Sequence, residues 1–404
     1  MEKSSAMWPS VSSNAVRFLV IGTPGDRRIM LFQEALARLG LSAAQLVSYQ
    51  ELTAGEARVT DLLTPTTIVR IESPGKSIET ERLLLTLGAA EPDPEGEGYE
   101  RLSPAALATL PYEKGRLLPS RQWYLGFSTL MRRLAREVSP SQLMNQPDDI
   151  LLMFDKRRCH ALLERRGINV PEALAPVHSY DELIASLRER GWSRIFLKLA
   201  HGSSACGALA YRFSGNRHQA FTTVEVASHE GGIRLYNTRS IRRLESRQEI
   251  AQVINALCRH RVHVERWLPK ATYDGQAFDL RVVVIGGQAM HTVARLSRSP
   301  MTNLHLLNQR GNLAAILEQI GAERWQEAQC TCERAAHLLG SLYTGIDLLF
   351  SSNYRHHAIL EMNAFGDLLP TLLHQGQDTY TAEICAVLKG YRYAHQHTCA
   401  ARLA

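Results

Sequence analysis

The sequence lacks most features that mark secreted and membrane proteins. Its seven cysteines are odd in number and scattered through 404 residues, and no two of them form a C-x-x-C motif. This usage is typical of a reducing compartment, where thiols stay free. No apolar run approaches the roughly 20 residues that cross a bilayer, and the apolar run near the N-terminus is too short for a secretion signal. We therefore expect a cytoplasmic protein without a membrane partner.

An excess of one charge is also largely missing. Lys and Arg number 46 against 40 Asp and Glu, which gives a formal charge of +6 and a pI near 9.0. No block of like charge with interleaved aromatic residues indicates a nucleic-acid surface, and "RSIRRLESR" (239–247) is expected to be a solvated helix or turn face. The mild basic excess favours an anionic small-molecule substrate. The length predicts two or three domains of an ordinary globular protein.

The N-terminal segment predicts an open α/β sheet, because strand and helix patterns alternate along it. A buried strand and a turn precede a helix over 29–41, which ends at Gly40. The turn has a G-x-x-G pattern and lacks the complete dinucleotide fingerprint. Arg70, Glu72 and Lys76 follow a later strand, where α/β sheets present ligands. They are candidate substrate contacts, and an ordinary strand-to-turn exit is the alternative.

Acidic and amide side chains gather near the end of the chain. In "AILEMNAFGD", Glu361 and Asn363 lie two residues apart on a predicted buried strand, so they point to one face. The preceding strand, "GIDLLF", carries Asp347, and the short connection makes Asp347 face Glu361 across an antiparallel pair. Facing carboxylates repel unless a cation lies between them, and three oxygen donors suit Mg²⁺. The alternative is that these groups merely emerge at a strand end.

A lysine and a Gly/Ser loop form a second candidate site. The strand "IFLKLA" delivers Lys198 as a positive charge, and the loop after it lets main-chain N–H groups surround phosphate oxygens. The loop residues are Gly202, Ser203, Ser204 and Gly207. This is not a Walker loop, because the lysine precedes the glycines and no helix follows. A plain hairpin turn is the alternative, and Cys206 within the loop is expected to be a buried thiol.

As an ordered set, these and further motifs resemble the ATP-grasp superfamily, in particular the branch with glutathione synthetase and the ribosomal-protein glutamate ligases. The motifs are "FDK", "LKLAHGSSACG", "VERWLP", "DLRVVVIGG", "TNLH", "GIDLL" and "LEMNAFGD". The resemblance implies an N-terminal open α/β domain followed by an ATP-grasp fold, in which two α+β subdomains enclose ATP. The implied parts are the N-terminal domain (1–125), a linker helix (126–147) and the two subdomains (148–262 and 263–404).

The resemblance also implies how ATP would be bound. Lys156 and Lys198 would bind its phosphates, with the 202–207 loop as a mobile lid above them. Glu265 would accept a hydrogen bond from the exocyclic amine of adenine. The main chain of Trp267 and Leu268 would meet the edge of the adenine ring.

The same resemblance implies the reacting end of the site. Asp279 would lie near the ribose, with Asp274 as a competitor. Arg281, Arg295 and Asn303 would contact the transferring phosphate, and ordinary cross-strand pairing is the alternative role of the two arginines. One or two Mg²⁺ ions would be held by Asp347, Glu361 and Asn363.

Two departures from the family pattern concern the substrate. Met301 stands where the ligase branch often has an arginine, so either Arg298 or Arg310 is expected to replace that phosphate contact. The segment after Asn363 also differs, and Asp367 is a candidate contact for a substrate amine.

The activity that the resemblance implies is ATP-dependent joining of a carboxylate to an amine through an acylphosphate. The substrates would be small molecules or peptides, no nucleic acid would take part, and the chain would pair into a homodimer. Two other classes stay open. One is an ATP-grasp kinase that phosphorylates a hydroxyl of an anionic small molecule, and the other is an inert nucleotide-binding regulator.

Overall fold

The computed structural model describes residues 16–75, 77–96, 98–203, 205–229 and 232–391. Within these ranges the chain is a mixed α/β protein with sheets of three, five and six strands. The predicted site residues Lys76 and Ser204 lie outside the described residues. Every helix in the described part is too short or too polar to cross a bilayer.

A parallel three-stranded sheet forms the N-terminal part, as the sequence predicts. Its elements are β1 (Arg17–Gly22), α1 (Arg27–Arg38), β2 (Gln45–Ser48), α2 (Tyr49–Ala54), α3 (Val59–Leu62), β3 (Thr67–Ile71), α4 (Ile78–Ala89), α5 (Pro104–Ala108) and α6 (Ser120–Glu137). The strand order is β2-β1-β3. Helix α1 begins where the Asp26 carboxylate accepts a hydrogen bond from the Arg28 main chain, and it ends before Gly40, whose φ is +68°.

Helices α4 and α6 touch through their main chains. A Cβ atom on Gly88 would lie 1.8 Å from the Gln122 carbonyl oxygen, and one on Gly126 would lie 1.8 Å from the Leu84 carbonyl oxygen. Neither position has room for a side chain. The two glycines therefore set the spacing of this helix pair.

An antiparallel five-stranded sheet follows, in the order β7-β6-β5-β4-β8. The elements of this part are α7 (Pro147–Phe154), α8 (Lys156–Arg165), α9 (Tyr180–Arg190), β4 (Arg194–Leu199), β5 (Leu209–Ser214), β6 (Arg217–His229), β7 (Gly232–Leu244), α10 (Arg247–Cys258) and β8 (Val262–Arg266). The predicted helix or turn at 239–247 is wrong, because Arg242 and Arg243 pair with Thr222 and Phe221 of β6. Both arginines are nevertheless exposed, so the prediction of a solvated face is confirmed.

The third sheet has the order β12-β11-β10-β13-β14, and β9 pairs with β10. Its part of the chain contains β9 (Thr272–Tyr273), β10 (Gln276–Ile285), β11 (Gln288–Ser297), β12 (Gln309–Arg310), α11 (Leu313–Ile320), α12 (Ala322–Ala336), β13 (Tyr343–Phe350), β14 (His357–Asn363) and α13 (Thr379–Leu388). The predicted β10–β11 hairpin is confirmed. It turns at Gly286 and Gly287, with φ of +57° and +80°.

The hydrophobic core joins the first and third sheets. One continuous cluster contains Leu19 of β1, Phe127 of α6 and Ile346 of β13. The five-stranded sheet has a separate cluster against α9 and α10. The division at 125, 147 and 262 stays a prediction, and α6 extends to both sides of the first boundary.

We expect Gly126→Ala to lower the free energy of unfolding by about 3 kcal/mol, because the added methyl group must push α4 and α6 apart. The comparison variant is Gly40→Ala, where no atom lies within 4 Å of the new Cβ and only the positive φ is unfavourable; it should cost about 1 kcal/mol. Urea unfolding measures both. Equal stability of the two variants would contradict the main-chain contact.

Candidate active site

Charged side chains from neighbouring strands meet on one face of the third sheet. Arg281 on β10 lies opposite Asp347 on β13, and its Nε is 2.5 Å from Asp347 Oδ1. Arg295 on β11 reaches the same oxygen at 3.1 Å. Asp347 also lies opposite Glu361 on β14, which confirms the predicted facing pair. Burial would raise the pKa of Asp347, but the two arginines outweigh it and lower that pKa, so the carboxylate is ionised at neutral pH.

Strand β14 carries one extra residue beside this pair. The ladder shifts after the Asp347–Glu361 pair, which leaves Leu360 unpaired as a β-bulge. Beyond the bulge, Met362 is buried, whereas Glu361 and Asn363 are partly exposed. The predicted alternation of these three side chains is therefore confirmed.

Two lysines, one on α8 and one on β4 of the five-stranded sheet, complete the cluster. Lys156, the first residue of α8, places Nζ 2.9 Å from Glu361 Oε1 and 2.5 Å from the Gly202 carbonyl oxygen. Lys198 on β4 places Nζ 2.5 Å from Glu265 Oε1. Burial favours neutral Lys198, but Glu265 and Glu361 raise its pKa overall. The structure thus brings together the predicted phosphate ligands and a predicted metal ligand.

Glu265 on β8 is almost completely buried and still has an unused acceptor. Its Oε1 atom pairs with Lys198. His263 Nε2 lies 3.3 Å from Oε2 but is not aligned for a hydrogen bond, so Oε2 has no hydrogen-bond partner in the described chain. Burial opposes ionisation, yet Lys198 and His263 lower the pKa of Glu265 to about 2. The side chain is therefore an ionised acceptor on the wall of the site.

Both carboxylate oxygens of Asp279 already accept hydrogen bonds from other side chains of the protein. Its Oδ1 accepts a 2.7 Å bond from Arg295, and its Oδ2 accepts bonds from Lys270, at 3.0 Å, and from Thr302. A ribose contact would require one of these bonds to open, so this role stays a prediction. The competitor Asp274 lies exposed in a turn with φ of +49°.

Lys270 and Thr302 are residues of the cluster that the sequence analysis did not identify. Lys270 Nζ also lies 2.7 Å from Thr302 Oγ1, and burial lowers the pKa of this lysine despite Asp279. Their positions in the sequence could have identified them, because Lys270 directly follows "VERWLP" and Thr302 directly precedes Asn303.

Of the two residues after β8 that were predicted to meet the adenine ring, only one has an unbonded main chain. The Trp267 N–H donates to the Arg194 carbonyl oxygen at 3.3 Å, so it is already used. The Trp267 ring packs edge-on against Phe196, with 5.3 Å between ring centroids. In the described chain Leu268 makes no hydrogen bond, so its main chain is available to a ligand.

The loop after β11 contacts the five-stranded sheet. Met301 is buried in one hydrophobic cluster with Ala210 of β5 and with Ala208 just before that strand, which explains why an apolar residue stands there. Asn303, two residues after Met301, is half-buried. Of the two residues expected to replace the missing arginine, Arg310 lies opposite Arg295 in the β11–β12 ladder. The register therefore favours Arg310, whose guanidinium donates to the Pro370 carbonyl oxygen at 3.2 Å.

The glycine loop, residues 200–207, folds tightly over the end of β4. A Cβ atom on Gly207, whose φ is +66°, would lie 2.5 Å from the Leu199 side chain, and one on Gly202 would lie 2.9 Å from it. Cys206 N–H donates to the Ser203 carbonyl oxygen at 2.9 Å. Side chains of β6 and β7 also bond the loop, since Thr223 donates to Ala205 at 3.0 Å and Asn237 accepts from Gly207 at 3.2 Å. Cys206 is half-buried.

The expectation that Arg70, Glu72 and Asp367 contact substrate is wrong, because these side chains have no exposed surface. The Arg70 guanidinium bonds Glu72 at 2.7 Å, and Asp367 and Glu383 at 2.5 Å each. It therefore ties β3 to α13 and to the segment after β14. Sequence position alone placed these residues near a ligand, but desolvated charges need partners, and here the partners are internal.

Three arginines hold consecutive residues of the segment after Asn363. Arg28 donates to the Phe365 carbonyl oxygen at 2.7 Å, and Arg281 donates to the Gly366 carbonyl oxygen at 3.2 Å. Arg70 holds the Asp367 carboxylate, as described above. The N-terminal part thus positions the segment that adjoins the predicted metal ligand Asn363.

The facing carboxylates of Asp347 and Glu361 need positive charge nearby, and side chains of the protein supply it. Arginines neutralise Asp347, and Lys156 neutralises Glu361. No set of three or more His, Cys, Asp and Glu side chains in the described ranges could hold a metal ion. The remaining oxygen donor, Asn363, is an amide, and its Nδ2 donates to the Gly345 carbonyl oxygen at 3.3 Å. The magnesium role of these three residues stays a prediction.

Glu265 should stabilise the fold in a pH-dependent way. Because folding lowers its pKa from about 4.5 to about 2, its contribution is complete above pH 5 and is lost as the pH falls towards 2. Glu265→Gln should therefore be less stable than the parent at pH 7, and the difference should shrink on acidification. Urea unfolding between pH 7 and about 3.5 measures this, with the exposed Glu245→Gln as control. A constant difference would exclude the linkage.

No protein-family model and no curated protein sequence matches this chain. Solved structures do resemble it. The ATP-grasp ligase PsnB, complexed with a minimal precursor, is 16% identical with a TM-score of 0.51, over 93% of this chain and 99% of that one. The macrocyclase MdnC from Microcystis aeruginosa MRC, bound with the precursor peptide MdnA, is 11% identical with a TM-score of 0.51, over 93% and 100%.

The D-cycloserine synthetase DcsG is also similar. It is 13% identical with a TM-score of 0.54, over 93% of this chain and 100% of that one. At such low identities the likeness concerns the fold and not the chemistry. The chain has the ATP-grasp fold, as its ordered motifs predict.

Proposed function

We propose that the chain is an ATP-dependent ligase that joins a carboxylate to an amine through an acylphosphate and releases ADP and phosphate. The observation that carries this proposal is the convergence of four cations on three carboxylates, those of Glu361, Glu265 and Asp347, between the two sheets. Lys156 begins α8, Lys198 lies on the five-stranded sheet, and Arg281 and Arg295 lie on the third sheet. Such a concentration of positive charge suits the phosphates of a nucleotide.

The residues fit ATP in two further respects. Glu265 Oε2 is an ionised, buried acceptor that faces His263 at 3.3 Å but accepts no hydrogen bond in the described chain, which suits the amine of adenine. The glycine loop lies beside Lys156, whose Nζ donates to the Gly202 carbonyl oxygen, so the loop adjoins the proposed phosphate ligand. Leu268 offers a free main chain next to Glu265 for the ring edge.

Magnesium fits the oxygen donors of Asp347, Glu361 and Asn363. Among the described residues, Glu361 forms its ion pair only with Lys156, which is itself a proposed phosphate ligand. When phosphate oxygens attract Lys156, Glu361 becomes free to bind a metal ion. Bound magnesium would neutralise phosphate charge.

The chemistry assigned to the protein is positioning and charge stabilisation. Asp347 and Asp279 hold the guanidinium groups of Arg281 and Arg295 in fixed directions, so that little reorganisation is needed when negative charge develops on a phosphoryl group. An acylphosphate reacts with water, and the contact of Met301 with the five-stranded sheet helps to close the site on that side. No nucleophilic side chain is required.

The substrates are proposed to be a peptide or small-molecule carboxylate and an amine. PsnB and MdnC were solved with a precursor and a precursor peptide, and DcsG is a synthetase of a small molecule. The alternative of a kinase for an anionic small molecule rests on the net charge of +6. Convergence of Lys198, Asp347 and Glu361 argues against an inert regulator. A homodimer stays a prediction.

The rate of ADP release should depend on the carboxylates of Asp347 and Glu361. We expect the chain to release ADP from Mg-ATP when amino acids, short peptides and polyanions are screened as acceptors. Asp347→Asn and Glu361→Gln should each lower this rate by on the order of 10²-fold, because charge control at the phosphates is lost. Glu245→Gln, on an exposed ion pair away from the cluster, is the control. Full activity of both site variants would refute the assignment.

The product separates a ligase from a kinase. With an active acceptor pair, we expect an amide together with one free phosphate for each ADP. Mass spectrometry and phosphate determination measure both. A phosphate monoester without free phosphate would establish the kinase instead.

A further inference from the structure

His201 lies within the glycine loop but is hidden from solvent. Its side chain has no exposed surface, and its ring stacks on Tyr124 of α6 with 4.1 Å between ring centroids. It directly precedes Gly202, whose carbonyl oxygen accepts from Lys156. A buried polar ring at this place cannot reach a ligand above the loop, so its role must be internal.

Two groups compete for a single nitrogen of His201. Nε2 lies 3.2 Å from a guanidinium nitrogen of Arg121 and 3.3 Å from Asp155 Oδ2. A neutral imidazole nitrogen either accepts or donates, so it can serve only one of them at a time. Burial lowers the pKa of His201 although Asp155 opposes this effect, which keeps the ring neutral.

Asp155 connects His201 to the start of α8. Its carboxylate caps this helix by accepting from the main chains of Arg157 and Arg158, each at 3.1 Å. Lys156 lies between the cap and those residues, and its own N–H donates to the Ala200 carbonyl oxygen at 3.0 Å. The direction of Lys156 therefore depends on the same few bonds that hold His201.

Arg121 connects His201 to the acidic loop of the N-terminal part, residues 91–96. The Asp93 side chain is 3% exposed and accepts two bonds from Arg121, one of them at 3.0 Å. Glu95 binds Arg157 of α8 through both oxygens, at 2.6 and 2.8 Å. Most residues of this loop are exposed, but the carboxylates of Asp93 and Glu95 are docked against arginines beside the glycine loop.

We propose that His201 is a positioning residue that fixes the glycine loop and Lys156 relative to each other and links both to the acidic loop through Arg121. This inference rests on the proposed function, because its purpose is to present Lys156 to nucleotide phosphates. His201 itself touches no phosphate. Its loss acts on nucleotide affinity through Lys156.

Two substitutions separate the polar role of His201 from its packing. His201→Phe keeps a ring against Tyr124 but removes both nitrogens, and it should weaken binding of AMPPNP with magnesium about tenfold. His201→Gln supplies an amide that can serve Asp155 or Arg121, and it should restore affinity to within about threefold of the parent. Isothermal titration calorimetry measures both, with the exposed His356→Phe as control. Parent-like affinity of His201→Phe, or equal losses in both variants, overturns the proposal.

A double-mutant cycle tests the route through Lys156. Lys156→Met should weaken AMPPNP binding, and adding His201→Phe to it should change the affinity by less than about twofold, since the group that His201 positions is already gone. An additive loss would show that His201 does not act through Lys156, and would overturn the proposal.

Hydrogen exchange of the glycine loop distinguishes failure of this proposal from failure of the proposed function. Without nucleotide, His201→Phe should speed exchange of the bonded amides of Gly202, Cys206 and Gly207, and His201→Gln should do so less. If the parent chain binds no AMPPNP, the proposed function fails, and unchanged exchange in His201→Phe would then separately overturn the positioning role.

Discussion

Neutralisation of buried charge is the constraint on which the site depends. Asp279, Asp347 and Glu265 are nearly or fully removed from water, and each is paired with a lysine or an arginine from another strand or loop. An unpaired charge at such depth costs several kcal/mol. The pairs therefore fix strand register, because a shift of one residue would turn Arg281 away from Asp347 and leave both uncompensated.

The same constraint governs the junction between the first and third sheets. Arg70 is enclosed by three carboxylates, and its guanidinium also lies over the rings of Tyr343 and Phe32 at 4.7 and 4.8 Å. Three carboxylates exceed its single charge. Burial correspondingly raises the pKa of Glu72 and of Glu383 despite Arg70. The junction is thus specified by charge as well as by the shared hydrophobic core.

The sequence predicted the parts of the site that depend on local pattern. Strand alternation and a short connection were enough to place Asp347 opposite Glu361, and the ordered motifs were enough for the fold. The identity of the neutralising groups was not accessible in this way. Arg281 is 66 residues from Asp347 in the chain, and Arg70 is 313 residues from Glu383. Such pairs arise from the packing of sheets, which no periodicity encodes.

Neighbouring positions show the same limit. Lys270 was one residue beyond a recognised motif, and His201 was inside one, yet both were passed over because their importance lies in what they contact. The bulge at Leu360 was likewise invisible, since a strand with one unpaired residue has nearly the composition of a regular strand. Arg70 and Glu72 show the converse error, in which charged residues at a strand end were taken for ligands.

The direct backbone contact of α4 and α6 couples the positions of these two helices. No side chain lies between Gly88 and Gly126, so no change of rotamer can compensate for a shift of one helix against the other. Helix α4 packs on the first sheet through Leu84, and α6 carries Arg121 and Tyr124. A displacement of α4 is therefore expected to displace α6 as well, and with it the Tyr124 ring that stacks on His201.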